Sequence, residues 1–204
     1  MDTVCSDLDA GIHKTYLLRG VTGSGKTEVY MELIAHTVAQ GRQAIVLIPE
    51  IALTYQTVMR FYNRFGDRVS IMNSKLSQGE RFDQFERAKA GDIDIMIGPR
   101  SALFTPFPHL GLIIIDEEHE TSYKSETAPR YHARDVAIER ARMNDASVLL
   151  GSATPSVDSY YQAMQGKYQL LTLSERVEKK PLPDCEVVDL RSELRAGNRS
   201  ILSE

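Results

Sequence analysis

Gly20-Val21-Thr22-Gly23-Ser24-Gly25-Lys26-Thr27 stands between an apolar run, Thr15 to Arg19, and a run with helical periodicity, Thr27 to Gln40. The spacing G-x-x-x-x-G-K-[ST] in a strand-to-helix context predicts a loop that wraps the phosphates of ATP or GTP. Glycines at 20, 23 and 25 let the backbone enter conformations closed to other residues, so that successive N–H groups converge on one concavity. Lys26 then reaches the β and γ oxygens, Thr27 offers its hydroxyl to Mg²⁺, and the helix directs the positive end of its dipole at the same anion. All eight residues, Gly20, Val21, Thr22, Gly23, Ser24, Gly25, Lys26 and Thr27, are candidate ATP contacts. The competing reading of this stretch alone is a Gly-rich turn with a solvated lysine, so the rest of the chain must decide.

Outward from the loop, short aliphatic runs alternate with helical ones, the pattern of a parallel α/β sheet. Strands are expected at Thr15 to Arg19, Gln43 to Ile48, Ile93 to Ile97, Leu112 to Ile115 and Ser147 to Leu150, with Val69 to Met72 a weaker candidate. Helices are expected at Thr27 to Gln40, Leu53 to Phe65, Gln78 to Ala90, Ala133 to Met143 and Ser156 to Gln165. Leu112-Ile113-Ile114-Ile115 is continuously apolar, as a strand covered on both faces should be, and belongs at the sheet centre. The expected fold is α/β, a mainly parallel sheet sandwiched by helices, in one domain over 1–173. Residues 174–204 read as a linker or edge segment with a single strand-like run, Glu186 to Leu190, and a helix-like start at Arg199 to Glu204. The abrupt ends suggest a piece of a larger protein.

In open parallel sheets, ligands bind beyond the carboxyl ends of the strands. Here the expected strands are followed at once by polar clusters: the phosphate loop, Pro49-Glu50-Ile51-Ala52-Leu53-Thr54, Gly98-Pro99-Arg100-Ser101, Asp116-Glu117-Glu118-His119 and Gly151-Ser152-Ala153-Thr154-Pro155-Ser156. Asp116, at the tip of the most apolar strand, suits the second Mg²⁺ contact of a phosphate-loop enzyme. Glu117 beside it can accept a proton from the water that attacks the γ-phosphate, which makes Lys26, Asp116 and Glu117 the candidate catalytic set. Ser152 and Thr154 are either turn and cap residues or nucleotide sensors. His119, beside Glu117, suits a relay between those hydroxyls and the acidic motif.

The composition is that of a globular chain: 204 residues, 42% hydrophobic, 25% charged, net charge −4. No apolar run approaches the ~18 residues of a membrane span, and the N-terminus lacks the basic and apolar regions of a signal peptide, so a cytoplasmic location is expected. Cys5 and Cys185 form no metal-ligand pair and read as free thiols of a reducing compartment. The net charge does not attract nucleic acid, and any such binding must come from a local patch.

The ordered set G-V-T-G-S-G-K-T-E-V-Y, P-E-I-A-L-T, G-P-R-S-A-L-F-T-P-F, L-G-L-I-I-I-D-E-E-H, P-R-Y-H-A-R-D and G-S-A-T-P-S resembles the first RecA-like motor domain of superfamily 2 DNA helicases, and more narrowly their bacterial primosomal branch. The match runs from about Leu17 to Arg191. The resemblance implies that the Ser147 to Leu150 strand lies between the phosphate-loop strand and the Asp116 strand. It also implies ATP and Mg²⁺ as cofactors, 3′-to-5′ unwinding in replication restart, and single-stranded and forked DNA, primosome proteins and single-strand-binding proteins as partners. Two departures stand out. Met1 to Lys14 shows no glutamine segment for reading adenine, and Asn73-Ser74 replaces the family's His-Ser pair. The family's second motor domain, arginine finger, zinc-binding cysteine insertion and fork-recognising domain have no counterpart in these residues, so zinc is expected only outside them.

A motor without base readout holds single-stranded DNA by phosphates and stacking. Candidate DNA contacts are Pro49 and Thr54 at a helix start, Arg100 and Ser101 one strand over, and Tyr123, Lys124, Arg130 and Tyr131 in the loop after the acidic motif, which the resemblance equates with an aromatic-rich coupling loop. Two rival readings stay open: a fork-reversing or restriction-type translocase of the same superfamily, and an ATP-switched assembly module. Glu117 argues against the second, since a switch needs no general base.

Overall fold

The computed structural model describes residues 1–177 and 187–197. Strands and helices alternate as α1 (Asp2–Asp9), β1 (Thr15–Gly20), α2 (Lys26–Ala39), β2 (Gln43–Leu47), α3 (Tyr55–Phe65), β3 (Val69–Ile71), α4 (Gln78–Ala90), β4 (Ile95–Gly98), β5 (Leu110–Asp116), α5 (Ala133–Met143), β6 (Ser147–Ser152), α6 (Val157–Met164), β7 (Gln169–Leu173) and α7 (Leu190–Ala196). The seven strands form one sheet in the order β3-β4-β2-β5-β6-β1-β7. Every neighbouring pair is parallel. All strands therefore end at one rim, and β6 lies between β1 and β5 as the motif resemblance implies.

The continuous apolar run in β5 has a simple cause. Successive side chains point to opposite faces, and both faces are covered. Leu112 and Ile114 pack with Leu18, Val46 and Ile97 and with Val4, Tyr30, Ile34 and Phe61 from α1, α2 and α3. Ile113 and Ile115 pack on the other face with Ile45, Leu47 and Leu150, against Ala88 of α4 and the small side chains Ala133, Ala137 and Ala141 of α5. Spaced four apart, those alanines form one helix face and let α5 lie close to the sheet.

Boundaries move by a residue or two at most elements, as at Ile95 for Ile93 and Tyr55 for Leu53. Three elements were absent from the sequence reading, α1, β7 and α7. Helix α1 buries Val4 and Leu8, and is tied down where Tyr16 Oη donates to Asp7 at 2.7 Å and Gln40 Nε2 to Asp9 at 2.7 Å. Strand β7 pairs with β1 at the sheet edge, where its side chains are only partly covered. The expected strand Glu186 to Leu190 is not one: residues 187–189 have no regular structure and α7 starts at Leu190, while Glu186 itself lies outside the described residues. Cys185 and the helix-like start at Arg199 also lie outside them. Among the described residues no helix is long and apolar enough to cross a membrane.

Candidate functional site

The loop after β1 has the geometry its glycines predict. Gly23 (φ 77°) and Gly25 (φ 86°) hold left-handed conformations that disfavour any other residue. Gly20 is needed for another reason: a Cβ there would lie 2.5 Å from Ser24 Oγ and 3.0 Å from Lys26 Cγ. Gly25 is the N-cap of α2, so the free N–H groups of the first turn and the helix dipole face the loop. Lys26 Nζ donates to the Gly20 carbonyl at 3.0 Å, folded back into the cradle. The buried Ser24 Oγ has no hydrogen-bond partner among the described residues. A cradle that a Cβ would fill, an orphaned hydroxyl and a lysine held at its mouth fit a polyphosphate. The cavity, about 670 Å³, is lined by Thr22 through Glu28, Asp116 and Glu117, together with Arg60, Arg176 and Val177.

Across this cavity the acidic motif sits at the end of β5. Burial raises the Asp116 carboxyl above its ordinary range, a shift opposed by the Tyr30 hydroxyl that donates to it at 2.9 Å. Glu117 has φ 47°, a conformation that costs a non-glycine residue about 1 to 3 kcal/mol and is held where the surroundings demand it. In that pose its carboxylate lies 3.7 Å from Lys26 Nζ and 3.7 Å from His119 Nδ1. His119 Nδ1 in turn is 2.8 Å from Ser152 Oγ, which accepts from the Thr154 N–H at 3.0 Å. The structure thus brings Lys26, Glu117, His119, Ser152 and Thr154 into one continuous polar chain from the phosphate loop to the end of β6.

Glu118, to which the sequence reading assigned nothing, is buried at 2% exposure. It accepts from Ser156 N at 2.6 Å, Ser156 Oγ at 3.0 Å and Ser159 Oγ at 2.8 Å. Arg134 of α5 closes this cluster, donating to Ser159 Oγ at 3.0 Å and lying 4.0 Å from the Glu118 carboxylate. The D-E-E-H and G-S-A-T-P-S segments are therefore fastened together by residues that do not line the nucleotide cavity.

The candidate DNA contacts divide. A groove of about 390 Å³ at the same rim is lined by Pro49, Ser74, Arg81, Pro99, Arg100 and Ser101 among others. Arg100 also donates to the carbonyls of Ser122 and Lys124, at 3.1 and 2.6 Å, and so braces the loop after the acidic motif. Thr54 caps α3 by accepting from Thr57 N and stays exposed. Lys124 and Arg130 line a second groove with Tyr131, whose ring meets Phe104 edge-on at 5.5 Å. Tyr123 is a correction. Its ring is 1% exposed and its hydroxyl sits 2.7 Å from the Asp116 carbonyl and 3.1 Å from that of Leu47, so it supports the acidic motif from within and cannot stack on a base.

Sequence reasoning also missed Tyr30, Arg81, Arg60 and the strap formed by Arg176 and Val177. The Val177 N–H donates to the Gly23 carbonyl at 3.1 Å, which lays the segment after β7 against the phosphate loop. Tyr30 and Val177 meet the site through contacts between distant segments, Arg60, Arg81 and Arg176 by lining its cavities, and only the tyrosine in G-K-T-E-V-Y stood inside a quoted motif.

The DEAD/DEAH box helicase family profile matches residues 4–163. Among curated relatives, the chain is 53% identical over 196 residues to the replication restart protein PriA of Bacillus subtilis, covering 96% of this chain and 24% of that protein. It is 48% identical over 178 residues to PriA of Haemophilus influenzae, covering 87% of this chain and 24% of that protein. The chain thus spans about a quarter of the length of these relatives. Of solved structures, RecG bound to a three-way DNA junction matches with TM-score 0.58 at 24% identity, over 85% of this chain and 23% of that one. The Hef helicase domain of Pyrococcus furiosus matches with TM-score 0.57 at 17% identity, over 87% of this chain and 38% of that one. With its parallel sheet, phosphate loop and facing acidic motif, the chain belongs to the DEAD/DEAH box helicase family as a RecA-like motor domain.

Proposed function

We propose that this chain is the nucleotide-binding half of an ATP-driven 3′-to-5′ DNA helicase acting in replication restart. The observation that carries the reading is the pairing of Lys26 with Glu117 across the phosphate cavity, 3.7 Å apart, with Asp116 alongside. Its biological setting rests on the PriA relatives, and its polarity on the motif resemblance.

On ATP binding, Lys26 exchanges the Gly20 carbonyl for phosphate oxygens while the N–H groups of residues 23–27 surround them. Thr27 and Asp116 are the residues that would hold Mg²⁺, which supplies charge neutralisation on the transferred phosphoryl group. Glu117 orients the attacking water and takes its proton. The His119–Ser152–Thr154 chain lets a change at the Glu117 carboxylate reach the end of β6. DNA runs over the rim grooves, with phosphates on the backbone and side chains of Pro49, Thr54, Arg100 and Ser101, joined by Arg81, and with Lys124, Arg130 and Tyr131 presented by the loop beside the acidic motif. Single-stranded and forked DNA are the substrates, primosome and single-strand-binding proteins the partners, and the cytoplasm the place of action.

The test is made on the full-length protein, comparing partial duplexes with a 3′ or a 5′ tail. ATP-dependent separation of strands by translocation along the 3′-tailed strand, with hydrolysis stimulated by single-stranded DNA, is the expected result. DNA-independent hydrolysis with no unwinding of either substrate would point to an assembly switch instead.

A further inference from the structure

Tyr30 stands one turn after Lys26 in α2, 2% exposed, with its ring among the core side chains of one sheet face. A buried phenol needs a partner for its O–H, and a backbone carbonyl would serve as well as any. Instead the hydroxyl crosses to the tip of β5 and donates to Asp116 Oδ1 at 2.9 Å. The space it occupies is made by a glycine: a Cβ on Gly151 would lie 1.8 Å from Tyr30 Oη and 2.8 Å from Cζ. Gly151 has no left-handed φ that would call for glycine on its own account. Three segments distant in sequence thus agree on one contact. The Tyr123 hydroxyl, 2.7 Å from the Asp116 carbonyl, steadies the backbone end of the same residue.

We propose that Tyr30 is a positioning residue for the metal-binding carboxylate: its hydroxyl fixes the rotamer of Asp116 before Mg-nucleotide arrives, and Gly151 keeps the room for it. The proposal rests on the reading of Asp116 as a Mg²⁺ contact. A carboxylate aimed in advance loses no rotamer freedom when the ion binds, and partners of metal-binding groups typically contribute about 10- to 100-fold in metal affinity or activity. Phenylalanine at 30 keeps the ring in its pocket and removes only the donor.

The experiment titrates Mg²⁺ into full-length protein and a fluorescent, non-hydrolysable ATP analogue, all in a Glu117→Gln background that slows any turnover further. Melting temperature is recorded for each variant. Tyr30→Phe should raise the Mg²⁺ concentration for half-maximal nucleotide binding by about tenfold while leaving Mg²⁺-free nucleotide binding unchanged. Asp116→Asn, measured beside it, should raise that concentration at least as far. If Asp116→Asn shifts the midpoint and Tyr30→Phe does not, the positioning role is overturned and the metal assignment stands, whatever Tyr30→Phe does to melting. If neither shifts it, the metal assignment fails and takes the positioning role with it.

Discussion

Glu117 and Glu118 are adjacent carboxylates with opposite surroundings. Glu117 sits in a left-handed backbone pose that turns it toward Lys26, and it keeps contact with solvent. Glu118 is buried among three donors, with the Arg134 guanidinium 4.0 Å away. Replacing Glu118 by alanine should therefore destabilise the fold by about 3 kcal/mol, because an amide and two hydroxyls lose their acceptor together and the Arg134 guanidinium loses the opposite charge 4.0 Å away. Denaturant unfolding of the two variants checks this: Glu118→Ala should shift the midpoint strongly and Glu117→Gln hardly at all. Equal shifts would mean that the two roles are wrongly divided. The sequence alone could place a metal contact and a base in D-E-E-H, because the chemistry of phosphate loops requires them at a strand end. It could not distinguish the second glutamate, whose partners lie 38 and 41 residues away.

Among the elements, the loop between β5 and α5 is the one whose role the fold leaves most open to measurement. Its ends are closed by the Lys124–His132 bridge and the Ser125 N–H to Tyr131 carbonyl bond at 2.7 Å, leaving Arg130 exposed at the tip. Tyr131 rests edge-on against Phe104, a contact worth about 0.5 to 1.5 kcal/mol beyond area burial. The double variant Arg130→Ala/Tyr131→Ala should keep ATP affinity and basal hydrolysis and lose most of the acceleration by single-stranded DNA. A loop that only packs would instead lower the melting temperature and reduce basal and stimulated rates together. The aromatic-cation pattern made this loop legible, but it also misplaced Tyr123, since burial of one aromatic among several is decided by the tertiary fold. Helix α1 was missed because its apolar pair, Val4 and Leu8, is too short a signal against eight mostly polar residues. It is held electrostatically as well. The Tyr16 hydroxyl and then Lys14 pull the Asp7 carboxyl below its ordinary pKa. The stability this contributes is present above the unfolded value of about 3.9 and disappears as pH falls through the lower folded one. Asp7→Asn should therefore melt earlier than the parent at neutral pH, and the gap should close in strongly acidic buffer. A gap that persists there would remove the carboxylate from the account.

For the whole molecule, the central place of β5 and the placement of the site at one rim follow from patterns short enough to read locally, a phosphate loop, an all-apolar β5 and polar clusters after strands, while the place of β6 between β1 and β5 came from the motif resemblance. What could not be read are contacts that join segments far apart, such as Tyr30 with Asp116, separated by 86 residues, and Val177 with Gly23. The chain covers 24% of the Bacillus subtilis relative, and an arginine finger from a second motor domain would be worth about 10³ to 10⁵ in rate. The chain alone should consequently bind Mg-ATP weakly and hydrolyse it very slowly, and robust DNA-dependent turnover by these 204 residues would contradict a shared site. The central claim is that Lys26 binds and Glu117 performs the chemistry. Its most direct measurement is ATP affinity together with DNA-stimulated hydrolysis for Lys26→Ala and Glu117→Gln in the full-length protein. Lys26→Ala should lose nucleotide binding, whereas Glu117→Gln should hold ATP with near-parental affinity and hydrolyse it slower by about 10² to 10⁴. Hydrolysis at the parental rate by Glu117→Gln would contradict the account.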